Sequence, residues 1–301
     1  MNKVIVVLGP TGVGKTKMSV ELARVYNGEI INADAMQIYK DLNIGTAKIR
    51  EDEKEGIPHH LFDIKNVYEE YSIYDYQKDC RKKIDEILSR CKTPIMVGGT
   101  GLYIKSALYD YKLDENSKDN TSNYDDVNTE DLYNELIKLD KKAINKIDKN
   151  NRRRIINAIN YYKNNGFSIT ENITDKLLYD AIFIGLTTDR DNLYNIINKR
   201  VDKMVESGLV DEVKSFYDKN IYTKPLTGGI GYKELYKYFE GDISLVEALD
   251  LIKRNSRRYA KRQYTFFNNK LDVIWFNTDY NNFNNTVKDV SKYIDKINNI
   301  E

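Results

Sequence analysis

A buried-strand pattern at the start of the chain runs directly into a phosphate-binding sequence. The apolar run Val4–Leu8 predicts a strand covered on both faces of a parallel sheet. The eight residues after it read Gly9, Pro10, Thr11, Gly12, Val13, Gly14, Lys15 and Thr16. Met18 and Leu22 then recur at helical spacing together with Val25. A Gly-x-x-x-x-Gly-Lys-Thr sequence between a strand and a helix is a P-loop, so the chain is predicted to bind a di- or triphosphate.

The residue types of the P-loop indicate how it holds that ligand. Backbone N–H groups of the turn and of the helix N-terminus point at phosphate oxygens. Lys15 adds a positive charge, and the Thr16 hydroxyl can ligate Mg²⁺. We therefore expect an α/β fold, P-loop NTPase-like, with a doubly wound, mainly parallel sheet.

Two further strand patterns end in polar residues. Glu29–Ala33 runs into Asp34, and Thr93–Val97 is followed by two glycines and Thr100. Ligands of open parallel sheets bind outside the carboxyl ends of the strands, so both side chains are expected on the rim that carries the P-loop. Asp34 is a candidate for chemistry or for Mg²⁺, and the alternative is that it caps the next turn.

Composition limits the class of protein. The 301 residues suffice for one large domain or two ordinary ones, and the formal net charge of +1 says nothing about partners. Cys80 and Cys91 lack ligand spacing, which predicts reduced thiols in a cytoplasmic protein. No apolar run approaches the roughly 20 residues of a membrane span.

The chain has only two histidines, His59 and His60, and they lie in a predicted loop. Two are too few for a zinc site, so we interpret them as structural or substrate-lining residues.

The pattern changes near Asp114. Residues 114–131 are rich in acids and predict a mobile loop, and residues 129 to about 179 have a helical pattern. Ala181–Leu186 then reads as a returning strand. We predict a P-loop core over 1–113 and 181–301, a mainly helical insertion domain over 114–180, and a basic helix near the C-terminus.

Two basic clusters are candidate nucleic-acid contacts. The first lies between Lys141 and Arg154. The second, which we call the basic stripe, runs from Lys253 to Arg262 at helical spacing. Either could bind a phosphate backbone, and either could be a solvated helix face.

Taken together, the motifs of this chain resemble one family. The motifs that carry the resemblance are Gly-Pro-Thr-Gly-Val-Gly-Lys-Thr, Asn-Ala-Asp-Ala-Met-Gln-Ile-Tyr, Gly-Thr-Ala-Lys, Pro-His-His, Val-Gly-Gly-Thr-Gly-Leu-Tyr, Ile-Gly-Tyr-Lys-Glu and Arg-Arg-Tyr-Ala-Lys-Arg-Gln. In this order, and over essentially the whole chain, they closely resemble the motifs of the tRNA dimethylallyltransferases. The P-loop alone would be shared with many NTPases.

The resemblance implies transfer of a dimethylallyl group from dimethylallyl diphosphate to N6 of adenosine 37, immediately 3′ of the tRNA anticodon. It implies that Gly12, Gly14, Lys15 and Thr16 cradle the diphosphate, with Thr16 placing Mg²⁺. Thr100 and Arg200 would donate to the leaving group, and Asp34 would hold the N6 amine. The residues implied in tRNA binding are Asp34, Ala35, Met36, Gln37, Arg153, Arg154, Lys233, Arg257, Arg258, Lys261, Arg262 and Gln263.

The chain departs from the family pattern at several positions. Members usually carry Ser at Ala35 and Arg at Asn157, often carry Arg at Ile196, and in some cases carry Arg at Gly228. The loop after Tyr111 lacks the Arg that the family often uses. We expect these differences to affect tRNA affinity more than chemistry.

Two other functions fit part of the pattern. A P-loop kinase or NTPase acting on a nucleotide or small molecule would use ATP and an arginine-rich lid, for which the basic stripe could serve. A non-enzymatic RNA-binding module would leave Lys15, Asp34 and Thr100 on one rim without a reason.

A monomer is expected, since no dimerisation seam is visible in the sequence.

Overall fold

A parallel sheet forms the centre of the chain. The computed structural model describes residues 3–113, 124–144, 146–171 and 173–298. The strands within these residues are β1 (Val4–Leu8), β2 (Gly28–Asn32), β3 (His59–His60), β4 (Thr93–Gly98), β5 (Tyr109–Tyr111), β6 (Ile173–Leu177), β7 (Ala181–Thr187) and β8 (Ile274–Asn277). Six of them form one sheet in the order β3-β2-β4-β1-β7-β8, with every pair parallel. The remaining two, β5 and β6, pair antiparallel.

Some of the helices cover both faces of this sheet, and others pack away from it. The helices within the described residues are α1 (Lys15–Val25), α2 (Ile73–Ser89), α3 (Gly101–Leu108), α4 (Thr129–Leu139), α5 (Arg152–Asn165), α6 (Arg190–Glu206), α7 (Leu209–Tyr217), α8 (Lys224–Gly228), α9 (Tyr232–Phe239), α10 (Leu245–Lys270) and α11 (Phe283–Asn298). Short 3₁₀ turns lie at Glu51–Lys54 and Ile169–Glu171.

The alternation of β1 divides the core into two layers. Val4, Val6 and Leu8 pack with α2 and α3, whereas Ile5 and Val7 pack with α1, α6 and α11. Both faces of the strand are buried, which is why its sequence is apolar without interruption. The predicted doubly wound α/β fold is confirmed.

Two further cores lie outside the sheet. One joins α6, α7, α9 and α10, and the other joins α4 and α5 with Tyr124. The helical pair α4–α5 lies between β5 and β6 in the chain, and β7 then pairs with β1. The division into core and insertion domain stays a prediction, and residues 114–123 of the predicted acidic loop lie outside the described residues.

Two predictions of local structure were wrong. His59–His60, expected in a loop, form the edge strand β3 because their backbone pairs with Ile30 and Ile31 of β2. The helical pattern drawn to residue 179 ends earlier, since Ile173–Leu177 pairs with β5.

Cys80 and Cys91 are free thiols, as predicted. Across the ranges given above, no helix is both long and apolar enough to cross a membrane.

Candidate active site

The register of the sheet brings three polar strand ends together. Leu8 at the end of β1 lies beside Gly98 of β4, and Asn32 at the end of β2 lies beside Val97. The P-loop, Asp34 and Thr100 therefore leave the sheet at one edge. Gly98 permits this closeness, because a Cβ there would lie 2.2 Å from the Ala33 carbonyl carbon.

The P-loop has the backbone conformation that its glycines allow. Gly12 and Gly14 both have φ of +90°, in the region that L side chains rarely adopt. Gly14 precedes the first residue of α1, so the helix N-terminus opens onto the loop. Lys15 Nζ donates to the Pro10 carbonyl at 2.7 Å. These features suit an anion, because unpaired N–H groups and the helix dipole favour negative charge.

Asp34 is fixed by hydrogen bonds on both sides. Its backbone N–H donates to Asn32 Oδ1 at 2.9 Å, and its Oδ1 accepts from the Met36 N–H at 2.9 Å. One carboxylate oxygen therefore caps the turn, as the structural alternative supposed. The other oxygen, Oδ2, takes no part in that bond, so capping and chemistry are compatible.

Thr100 is held against the same turn. Its Oγ1 accepts from the Ala35 N–H at 3.1 Å, and its own N–H donates to the Ala33 carbonyl at 3.1 Å. Because the oxygen is the acceptor in the first bond, its hydroxyl hydrogen can be directed to another group.

Three charges interact at this edge. Burial, and next the positive charge of Arg200, lowers the pKa of Lys15 to about 7, and the negative charge of Asp34 opposes this shift. Burial also lowers the pKa of the Arg200 guanidinium, again opposed by Asp34. Two cations with one carboxylate leave the site short of negative charge, which a diphosphate would supply.

Two residues of α10 complete the edge. Burial, and next the charge of Asp34, raises the pKa of Tyr259 to about 12, and its hydroxyl is within hydrogen-bonding reach of Thr100. Gln263 Nε2 donates to the Gly99 carbonyl at 2.9 Å, while its Oε1 is buried without a partner. Tyr259 lies one helical turn before Gln263, within the motif Arg-Arg-Tyr-Ala-Lys-Arg-Gln, but no feature of that motif predicted its place beside Thr100.

A large open cavity extends from this edge. Its volume is about 2860 Å³, beyond the roughly 300–1,000 Å³ typical of small-ligand pockets. The proposed site residues that line it are Thr11, Gly12, Gly14, Lys15, Thr16, Asp34, Ala35, Met36, Gln37, Thr100, Arg153, Arg154, Arg200, Lys233, Arg262 and Gln263. Its size leaves room for a nucleic-acid segment as well as a small molecule.

Several predicted residues do not line this cavity. Gly9, Pro10 and Val13 belong to the P-loop but face elsewhere, and Val13 is buried. Arg257 donates to Asn198 Oδ1 at 2.6 Å, so its guanidinium is engaged with α6. Arg258 and Lys261 are exposed on the outer side of α10. The basic stripe is thus divided between an internal contact, an outer surface and, at Arg262, the cavity.

The positions that differ from the family pattern also separate. Asn157 and Gly228 line the cavity away from the P-loop, next to residues of α5 and α8. Ile196 also lines the cavity and lies against the P-loop, since a Cβ on Gly12 would lie 2.7 Å from Ile196 Cγ2. The expected effect of these differences on tRNA affinity stays a prediction.

Two oxygen-bearing side chains of the site are available to a magnesium ion. Thr16 is exposed in the first turn of α1 and lines the cavity with Asp34. No cluster of three His, Cys, Asp or Glu side chains that could hold a metal occurs in the part of the chain that the structure describes. Mg²⁺ is usually held by one or two protein oxygens plus substrate phosphates and waters. The residues present fit a metal that arrives with a diphosphate.

Comparisons with known proteins agree on one family. The family model IPP transferase matches residues 37–270. A tRNA dimethylallyltransferase of Anoxybacillus flavithermus is 46% identical over 97% of this chain and 96% of its own length. That of Bacillus subtilis is 48% identical over 91% of this chain and 90% of its own length.

Solved structures are also similar. The tRNA isopentenylpyrophosphate transferase of Staphylococcus epidermidis has a TM-score of 0.75 and 38% identity, covering 98% of this chain and 100% of that one. A eukaryotic dimethylallyltransferase that acts on tRNA has a TM-score of 0.87 and 30% identity, covering 99% of this chain and 80% of that one.

Proposed function

This chain belongs to the IPP transferase family of tRNA dimethylallyltransferases, and from that premise we propose a specific reaction. The enzyme transfers a dimethylallyl group from dimethylallyl diphosphate to N6 of adenosine 37, 3′ of the anticodon, giving N6-isopentenyladenosine. The allylic C–O bond breaks, the N6–C bond forms, diphosphate leaves and N6 loses a proton. The observation that carries the proposal is that the P-loop, Asp34 and Thr100 meet at one end of a cavity too large for a small ligand.

The P-loop end binds the diphosphate of the donor. Negative charge gathers on the leaving group as the C–O bond breaks, so donors aimed at it lower the barrier selectively. Lys15 and Arg200 supply positive charge, and the Thr100 hydroxyl can donate because its oxygen already accepts from the Ala35 N–H. The low pKa of Lys15 means that a bound diphosphate also stabilises its charged form.

Asp34 holds the acceptor amine. An adenine amine is a weak nucleophile, and a carboxylate is too weak a base to deprotonate it in the ground state. Asp34 therefore orients the N6 group first, and it accepts the proton once alkylation has made the nitrogen acidic. The Met36 N–H fixes the carboxylate in place for both steps.

Mg²⁺ is proposed as the cofactor. Thr16 would hold it together with oxygens of the diphosphate. When bound, the ion would neutralise charge on the leaving diphosphate.

The rest of the cavity holds the tRNA anticodon stem-loop. Adenosine 37 leaves its stack at a cost of a few kcal/mol, less in a loop than in a duplex. Arg153 and Arg154 of α5, Lys233 of α9 and Arg262 of α10 all line the cavity, so several helices offer cations to the backbone. We propose that the enzyme acts as a monomer in the cytoplasm, where tRNA and reduced thiols occur together.

The reaction is tested by following two labels in parallel. Labelled dimethylallyl diphosphate is incubated with Mg²⁺ and an anticodon stem-loop that carries adenosine 37, and ATP hydrolysis is measured beside it. We expect label in the RNA without phosphate release from ATP. Turnover of ATP with unlabelled RNA would favour the P-loop kinase or NTPase instead.

A further inference from the structure

The segment after α10 packs on the outer side of the P-loop. It comprises β8, the turn after it and the start of α11, and it lies beyond residue 270, where the family match ends. The P-loop itself also lies outside that match, which begins at residue 37. The two segments are distant in sequence and meet only through the fold.

Two side chains make this contact. Thr278 Oγ1 donates to the Val13 carbonyl at 3.0 Å in a buried position, and Thr278 is only 8% exposed. The Thr278 N–H donates to the Thr187 carbonyl at 2.8 Å, which fixes the threonine to the end of β7. Phe283 lies against Gly14, since a Cβ there would be 2.6 Å from Phe283 Cε2. The Lys17 ammonium group lies 4.9 Å from the centre of the same ring.

The hydrogen bond acts on the peptide unit that binds the ligand. In a trans peptide the C=O and the next N–H point in opposite directions. Because Thr278 holds the Val13 carbonyl on the outer side, the Gly14 N–H is directed to the inner side, where P-loop N–H groups meet phosphate oxygens. Gly14 has a φ of +90°, and the Phe283 ring fills the space beside its Cα.

We propose that Thr278 and Phe283 are positioning residues that preorganise the P-loop for the donor diphosphate. The proposal rests on the proposed function for the identity of the donor, while the contact itself concerns any diphosphate. Preorganised donors bind more tightly because the loop loses less conformational freedom on binding. The segment therefore acts on the affinity for the donor and not on that for tRNA.

The test compares isosteric variants in direct binding. Thr278→Val keeps the shape and removes the donor O–H, and Thr278→Ser restores it. Thr93→Val is the matched control, because Thr93 is also buried and its Oγ1 donates to a backbone carbonyl, that of Tyr26 at 2.8 Å, at the start of β4 and outside the segment. Dissociation constants are measured for inorganic diphosphate and for dimethylallyl diphosphate, both with Mg²⁺, and for the anticodon stem-loop.

We expect Thr278→Val to weaken binding of both diphosphates about five- to tenfold, which is the loss of one hydrogen bond. Binding of the stem-loop should stay unchanged, Thr278→Ser should restore diphosphate binding, and Thr93→Val should not alter it. Unchanged diphosphate binding by folded Thr278→Val, or an equal loss in Thr93→Val, would overturn the proposal. Phe283→Leu gives a second test in the same direction if Thr278→Val fails to fold.

The probes separate this proposal from the proposed function. If the wild-type chain binds inorganic diphosphate but transfers no dimethylallyl group, the proposed reaction fails. The comparison of Thr278→Val with wild type on inorganic diphosphate still decides the positioning role.

Discussion

Lys15 lies where burial and Arg200 both disfavour its charge. With a pKa of about 7 in the free protein, most Lys15 side chains are neutral at pH 8. A bound diphosphate favours the ammonium form and raises that pKa, so binding at pH 8 must take up a proton. At pH 6 the side chain is already charged and the uptake disappears.

We predict proton uptake of nearly one per donor bound at pH 8 in the wild-type enzyme. The measurement is titration calorimetry with dimethylallyl diphosphate in buffers of different ionisation enthalpy, and affinity should fall as pH rises above 7. Lys15→Met is the control and should lose both the uptake and most of the affinity. Equal uptake in wild type and Lys15→Met would contradict the role of Lys15.

Asp34 offers a substitution that changes chemistry and little else. Asn at this position keeps an oxygen to accept from the Met36 N–H, so the turn should persist. We predict that Asp34→Asn lowers the single-turnover transfer rate about 10²- to 10⁴-fold, the usual value of general base catalysis. Binding of the stem-loop should stay within about tenfold of wild type. A variant that transfers at the wild-type rate would remove Asp34 from the mechanism.

Sequence reasoning identified residues that follow a motif or a strand end. Lys15, Asp34 and Thr100 were predicted because parallel strands end at one edge. Tyr259 lay within a quoted motif, but nothing in the sequence placed it beside Thr100. Thr278 was not predicted, because a threonine after a strand has no distinguishing pattern until the fold brings it to the P-loop.

At the scale of elements, α7 holds a loop of the cavity wall through one carboxylate. Glu212 accepts from three successive N–H groups, those of Asn43, Ile44 and Gly45, at 2.7–3.0 Å. It also accepts from Tyr232 Oη at 2.6 Å, and burial and this carboxylate raise the pKa of Tyr232. The same loop accepts a hydrogen bond from Gln37 Nε2 at Thr46. Glu212 thus joins α7, the loop at residues 43–48 and the start of α9.

We predict that Glu212→Gln raises the KM for tRNA about tenfold and leaves the KM for the donor within about twofold, because an amide N–H₂ faces backbone donors that it cannot accept from. Steady-state kinetics with each substrate varied in turn would measure this. Asp211→Asn changes the neighbouring exposed acid in the same turn and should have no effect. An increase confined to the donor would contradict a role in the tRNA wall.

The long elements could be predicted, and the short edge elements could not. The helix at Ile73–Ser89 begins with a capping box at Ser72 and Asp75, a spacing that is visible in the sequence. In contrast, β3 has two residues, and β8 has an intermediate-to-exposed burial pattern without alternation. Such strands exist because a neighbouring strand offers its backbone, and their own sequences carry no periodic signal.

At the scale of the whole molecule, the cavity is lined by cations from separate helices, α5, α9 and α10. Arg153 and Arg154 are exposed in the first turns of α5 and line the cavity. The net charge of +1 gives no overall attraction for RNA, so binding must depend on such local clusters.

We predict that the double change Arg153→Ala with Arg154→Ala weakens stem-loop binding and lowers the slope of log K against log salt by about 1.5. The control is Lys288→Ala with Lys292→Ala, which removes the same charge from the exposed side of α11, away from the cavity. Fluorescence anisotropy over a salt series would measure both. An unchanged slope for the α5 variant would show that this wall does not contact the backbone.

The class of the fold followed from sequence, and the shape of the cavity did not. The P-loop and the apolar strands were enough to predict a parallel sheet. The cavity, however, is lined by residues of α2, α5, α6 and α9 and of loops between the elements. Their arrangement depends on packing between residues far apart in the chain. The basic stripe of α10 shows the limit, since periodicity placed six cations together and the fold engages Arg257 with Asn198 instead.

The most direct test of the account is the position at which the prenyl group enters RNA. A stem-loop with adenosine at position 37 and a second unpaired adenosine in the same loop is incubated with enzyme, Mg²⁺ and dimethylallyl diphosphate, then cleaved and analysed by mass spectrometry. We predict that the fragment with adenosine 37 gains the mass of one dimethylallyl group and that a stem-loop with guanosine at position 37 gains none. Modification of the second adenosine, or no mass gain from a wild-type enzyme that binds both substrates, would contradict the account.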